Sequence, residues 1–221
     1  IVIDGHCEAS QIEAGGDIII RKGCQGKGLG KIIAGKSIVG QFFESAVLTA
    51  GKDVQATYLL NCQLKANGKL LVEGRKGVII GGKTCAKLGV SCNGIGNIAE
   101  IATVVSVGID KEDMTAYQEL QKKIEQTQAE LQTCENGLNK LMANPVHDEK
   151  VSMMIQRLTR AVYTLKSSRK ELFSERNAQM EQMTKQKEAR IQVSGRAYPG
   201  TLLFLNEDPF AIKEIYNNVE F

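Results

Sequence analysis

Ile12-Glu13-Ala14-Gly15-Gly16-Asp17-Ile18 states a phrase that decides how the rest of the chain is read. It returns as Ile32-Ile33-Ala34-Gly35-Lys36-Ser37-Ile38, Leu48-Thr49-Ala50-Gly51-Lys52-Asp53-Val54, Leu64-Lys65-Ala66-Asn67-Gly68-Lys69-Leu70 and Val78-Ile79-Ile80-Gly81-Gly82-Lys83-Thr84. The anchors Ala14, Ala34, Ala50, Ala66 and Ile80 lie 20, 16, 16 and 14 residues apart. Each has an aliphatic residue two positions before it, and four of the five have another four positions after it. A unit this short cannot bury its own apolar face and must stack on copies of itself.

The inward positions are expected two before the anchor, at the anchor, and four and six after it. The last set reads Ile20, Gly40, Ala56, Val72 and Ala86, small or aliphatic as a narrow interior requires. Alternation within each apolar stretch follows the two-residue period of strands. The glycines just after each anchor are read as corners that need positive φ. A β-meander would call for a hairpin turn such as Asn-Gly at every junction, and Asn67-Gly68 is the only such pair in the repeats. Hexapeptide solenoids need about 18 residues per coil, which these spacings do not keep. The expected fold is therefore mainly β with an α insertion: a right-handed parallel β-helix.

Composition agrees with that architecture. The 221 residues include 22 Gly but only 3 Pro, no Trp, and 5% aromatics, as suits many tight corners in a hydrogen-bonded ladder. With 28 basic against 25 acidic residues, neither disorder nor a dedicated nucleic-acid binder is indicated. No run reaches the roughly 20 apolar residues of a membrane span. The six cysteines form no C-x-x-C pair and have no partnering His, so they read as reduced, buried thiols in a cytoplasmic protein rather than metal ligands.

After Gly108, Gly and β-branched residues give way to Glu, Gln, Lys and Leu. Asp110 or Asp113 suits a helix cap. Tyr117, Leu120, Ile124, Thr127, Leu131, Cys134, Leu138 and Leu141 then follow in alternating steps of three and four, a heptad seam. Asn144-Pro145-Val146 breaks the helix, because proline has no amide to donate and restrains the residue before it. A second stripe runs through Val151, Met154/Ile155, Leu158, Val162, Leu165 and Leu172 and weakens to Met180 and Met183. Residues 110–190 are thus expected to form a long antiparallel coiled-coil hairpin inserted between β-helix turns at 1–109 and returning strands at 191–221 that cap the stack. The seam residues Leu120, Ile124, Leu131, Leu138, Leu141, Leu158, Leu165 and Leu172 suit a brace and a docking arm equally.

Two literal P-loop patterns occur, at 30–37 (Gly-x-x-x-x-Gly-Lys-Ser) and 77–84 (Gly-x-x-x-x-Gly-Lys-Thr). Their interiors, Lys-Ile-Ile-Ala and Val-Ile-Ile-Gly, are too apolar for an exposed phosphate cradle, and no helix pattern follows either. Both are read as repeat corners, with no nucleotide bound. The glycines Gly23, Gly26, Gly28 and Gly30 are read as a longer loop rather than a dinucleotide site. His6 and His147 neighbour no nucleophile, and the lysines Lys22, Lys27, Lys31, Lys36, Lys69, Lys76, Lys83 and Lys87 with Arg75 read as a solvated surface. Asp17 and Asp53 share a repeat register, but two turns apart they would stand about 10 Å from each other, too far for a retaining carboxylate pair.

The stretches Glu13-Ala14-Gly15-Gly16-Asp17-Ile18-Ile19-Ile20, Val72-Glu73-Gly74-Arg75-Lys76-Gly77 running into Ile79-Ile80-Gly81-Gly82, and Tyr198-Pro199-Gly200 followed by Ile212-Lys213-Glu214 flank the helical hairpin in order. In this arrangement the chain resembles the flagellar assembly protein A family. The resemblance implies a right-handed β-helix with a coiled-coil arm in bacterial cytoplasmic proteins that act through protein partners, and it supplies no catalytic residues. Lys36-Ser37 and Thr84 depart from the acidic and aliphatic residues usual there. Opening at Ile1 and ending on Phe221 inside an apolar pattern, the sequence reads as part of a longer chain, without the amino-terminal domain that often precedes the family's β-helix. The expected function is a non-enzymatic scaffold without cofactor or metal, binding another protein through the arm or a β-helix face, or binding itself. The alternatives are a carbohydrate-binding or carbohydrate-active β-helix and a polymer-forming, bactofilin-like element.

Overall fold

The computed structural model describes residues 1–74, 76–143 and 148–221. They form a mainly β solenoid of about five turns and two long helices. In order the strands are β1 (Val2–Ile3), β2 (His6–Glu8), β3 (Gln11–Ala14), β4 (Ile18–Ala34), β5 (Ile38–Ala50), β6 (Val54–Ala56), β7 (Tyr58–Ala66), β8 (Leu70–Val72), β9 (Val78–Ala86), β10 (Val90–Ile95) and β11 (Thr103–Val107). Helices α1 (Lys111–Met142) and α2 (Glu149–Lys187) follow. The chain then returns through β12 (Ile191–Ala197), β13 (Thr201–Leu205), β14 (Asp208–Ala211) and β15 (Tyr216–Glu220). The described residues divide into two compact units, one of residues 1–110 with 183–221 and one of residues 111–182.

Strands of successive turns pair in parallel and in register, so identical positions stack into columns. One column is Ala14, Ala34, Ala50, Ala66, Ala86, Val107 and Leu205. Another is Ile18, Ile38, Val54, Leu70, Val90 and Ile191, all at 2% exposure or less. A third is Cys24, Phe43, Leu59, Ile79, Ile95 and Ala197. These columns are the core. Every second residue points into it, which is why apolar side chains at that period drive the chain into this form.

The register corrects the fifth repeat. Ala66 pairs with Ala86, not with Ile80, which pairs with Leu60. The true spacings from Ala14 to Val107 are therefore 20, 16, 16, 20 and 21 residues, taken from the paired positions 14, 34, 50, 66, 86 and 107. The fifth copy of the phrase is Thr84-Cys85-Ala86-Lys87-Leu88-Gly89-Val90, which keeps the anchor alanine but loses the glycine after it. Extra residues in the longer turns are absorbed at corners, as where β4 and β5 shift register between Gln25 and Gly30 around the glycine-rich bulge.

The corner glycines are explained by proximity rather than by φ. A Cβ on Gly35 would lie 2.3 Å from the Gly15 carbonyl oxygen, and one on Gly51 2.2 Å from that of Gly35. Neither has positive φ. Left-handed residues recur at a different corner, among them Ala9, Lys27, Ser45, Asn61 and Gly81, with φ between 45° and 69°. Two of these five, Ala9 and Lys27, are residue types that give no turn signal, so the recurrence of this bend is only partly legible in the sequence.

After the helices, β12 continues beside β10 and β13 beside β11, both parallel. The last two strands reverse: β14 is antiparallel to β13 and β15 antiparallel to β12. Phe210, Tyr216 and Phe221 cluster there with ring centroids 5.3 to 6.5 Å apart.

Candidate functional site

On α1 the predicted seam is the covered side of the helix. Leu120, Ile124 and Leu131 are buried, and Leu138 and Leu141 are half-buried. On α2, Leu158, Leu165 and Leu172 are half-buried around the buried Val162. Ile155 and Met183 occupy the covered side, whereas Met154 and Met180 stand 55% and 57% exposed, so those two methionines do not belong to the stripe. Asp148 opens α2, its carboxylate accepting the Val151 amide at 2.8 Å, an N-cap. The predicted break at Asn144-Pro145-Val146, and His147, lie outside the described residues.

Contacts between the helices descend α2 as they ascend α1. Gln179 donates to the Asp113 carbonyl at 3.5 Å, Arg169 to Gln128 at 3.1 Å, and Lys166 pairs with Glu135 at 2.8 Å. Leu158 lies 3.7 Å from where a Gly137 Cβ would stand.

The point where the chain leaves the solenoid and returns to it is held by Asn206. Asn206 and Glu207, with φ of 51° and 73°, make the two-residue turn from β13 to β14. The Asn206 carboxamide accepts the Ile109 amide at 3.0 Å and donates to the Lys187 carbonyl at 3.4 Å. Gly108 must be glycine there, because its Cβ would fall 2.1 Å from Asn206 Oδ1. Beside it the Asp110 carboxylate stands 3.8 Å from Lys87 Nζ, whose side chain is 10% exposed, and 4.0 Å from Lys65 Nζ. Asn206-Glu207-Asp208-Pro209 has the composition of a turn, but what the Asn grips is remote in sequence and leaves no local signal.

The residues weighed for chemistry have structural occupations. Asp17 Oδ1 accepts the Ser37 amide at 2.9 Å and Asp53 Oδ1 the Lys69 amide at 2.7 Å, each tying one turn to the next. Their shared register thus reflects a repeated corner bond. The two P-loop patterns are not equivalent corners. Residues 30–37 end at the alanine column, where Gly35 and Lys36 donate to the Ala14 and Gly16 carbonyls at 2.7 and 3.2 Å. Residues 77–84 run into the middle of β9, and the Gly81 amide donates to Thr103 Oγ1 at 2.9 Å. Amides committed in this way cannot turn to a phosphate.

Burial pushes the Cys24 thiol up to about 11, with Cys7 and Cys62 adding to it, and burial pushes Cys92 up to about 12. That is the reverse of nucleophile activation. Of the lysines read as a surface stripe, Lys27 pairs with Glu8, Lys87 is drawn inward at Asp110, and Lys76 sits 5.7 Å over the Tyr58 ring. Arg75 lies outside the described residues. Among the described residues no group of three or more His, Cys, Asp or Glu side chains is placed to hold a metal ion, and no helix is long and apolar enough to cross a membrane.

The model for the Flagellar Assembly Protein A beta solenoid domain, FapA, matches residues 1–221. The chain belongs to the FapA family. No curated protein and no solved structure matches it. The family's name associates FapA proteins with flagellar assembly, and in this FapA chain the β-solenoid accounts for residues on both sides of the helices.

Proposed function

We propose that this FapA chain is a non-enzymatic scaffold for flagellar assembly whose helix pair is a docking arm for another protein. The observation that carries the reading is the helix pair itself. Its leucines are consumed in a seam along 32- and 39-residue helices, which leaves long outer faces free to meet a partner. In this reading residues 110–190 are an antiparallel coiled-coil hairpin, the solenoid of residues 1–109 is right-handed, and residues 191–221 complete and cap it. The opposed order of contacts from Asp113–Gln179 to Gly137–Leu158 supports the hairpin. The corner bonds of Asp17 and Asp53 and the raised thiols of Cys24 and Cys92 support a structural rather than catalytic use of those groups. Reduced thiols fit the cytoplasm.

Self-association through the arm is the second form of the same reading. End-to-end polymers are disfavoured by β14 and β15, whose antiparallel pairing interrupts the parallel ladder at one end. The test replaces residues 112–182 with a short Gly-Ser link in the native gene, which spares the solenoid unit. β-rich circular dichroism is expected to persist while flagella, counted by electron microscopy, are lost or misplaced. Normal flagellation would remove the arm from the function and leave the solenoid faces as the site.

A further inference from the structure

Between Glu149 and Glu171, whose carboxylate accepts from Ser167 at 3.4 Å, the outer face of α2 carries a run of bases with no acid among them. From Lys150 to Lys170 the helix carries six bases, Lys150, Arg157, Arg160, Lys166, Arg169 and Lys170, and no acid. Two are used against α1: Lys166 pairs with Glu135 and Arg169 donates to Gln128. The other four are exposed. Where α1 passes Leu158, at Gly137, it offers Leu138, Asn139 and Lys140, adding a base rather than an acid. Met153, Arg157, Arg160, Thr164 and Ser167, at steps of four and three, form the stripe turned away from the covered residues, and all are exposed. Tyr163 beside them is 78% exposed and Met153 51%.

Resting on the docking-arm reading, we infer that this face, centred on Arg157, Arg160 and Tyr163, binds an acidic segment of a partner protein. Uncompensated bases select a partner rich in Asp and Glu, and they speed its approach. The apolar groups between them select a polypeptide over a polyanion. Arg, Tyr and Met are the side chains enriched where proteins meet, and an exposed Met adapts to the contour laid against it. A nucleic acid would want its bases unbroken along the phosphate track, whereas here Tyr163 separates Arg160 from Lys170 by about 15 Å of helix.

The test places the photo-crosslinking residue p-benzoylphenylalanine at position 163 of the full chain in its own cells. The adduct is then digested and the attached peptide sequenced by mass spectrometry. The expected result is a peptide of another protein with a clear excess of Asp and Glu, its yield falling at least about tenfold in Arg157→Glu/Arg160→Glu. Lys122→Glu, on the exposed side of α1, should leave the yield unchanged. An adduct to nucleic acid, to lipid, to a second copy of this chain or to a peptide without acidic excess overturns the inference, as does no adduct or a yield indifferent to charge reversal. If the surface fails while deletion of residues 112–182 still abolishes flagellation, the arm reading stands without it. If the deletion is silent, both fall.

Discussion

The solenoid and the helix pair hide the same kinds of side chain to different depths. Ile18, Ile38, Leu70 and Ile191 are wholly enclosed, whereas among the seam residues Leu131 is buried at 2% and Leu138, Leu158 and Leu172 are only half-covered. In the solenoid a side chain meets the rest of its own turn and the turns before and after it. In the helix pair it meets one neighbouring helix, and solvent reaches the flanks. Nearest-neighbour stacking makes the solenoid cooperative over many turns. Burial limited to one face spreads the stability of the helix pair thinly along its length.

Substitutions should separate the two regions. Phe43→Ala empties the centre of a solenoid column at 0% exposure and should cost about 3–5 kcal/mol. Denaturant unfolding followed by the β signal should report it; a loss confined to the helical signal would contradict the shared core. Leu131→Ala removes the best-covered seam residue and should cost about 2–4 kcal/mol. The loss should appear in melting of the 222 nm helical band, with the β transition held in place. If both transitions drop together, the two units are not energetically separate.

Gly51→Ala and Gly16→Ala sharpen the comparison within the solenoid. The first puts a Cβ 2.2 Å from the Gly35 carbonyl and should destabilise by about 1–3 kcal/mol, while the second meets nothing within 4 Å and should change little. Equal effects at the two positions would show that closeness to that carbonyl does not select glycine there. The smallest effect belongs to the last strand. Hydrogen bonds from Gln192 and Arg190 hold the Glu220 carboxyl below the usual carboxylate range. A carboxylate depressed in the folded state stabilises above its ordinary pKa near 4.5 and loses that contribution as pH falls through the lower folded value. Glu220 lies at the surface, so only a slight extra acid sensitivity below pH about 4.5 is expected, and Glu220→Gln should remove it in melts across that range.

The sequence by itself determined that a short apolar unit repeats and must stack, that a helical excursion begins after Gly108 and that α1 hides one face. These follow from periods of two and of three-and-four, which are local properties of the chain. Only the tertiary structure decided that Ala86 rather than Ile80 continues the alanine column. Turn length varies, and the surplus is absorbed in bulges, so spacing alone cannot say which residues end up side by side. The same holds for the corner glycines, needed because a neighbouring carbonyl from the previous turn occupies the space of a Cβ, and for Asn206, whose partners Ile109 and Lys187 lie 97 and 19 residues away. Such roles are fixed by atoms brought close by stacking, and their chemistry is invisible until the turns are laid on one another.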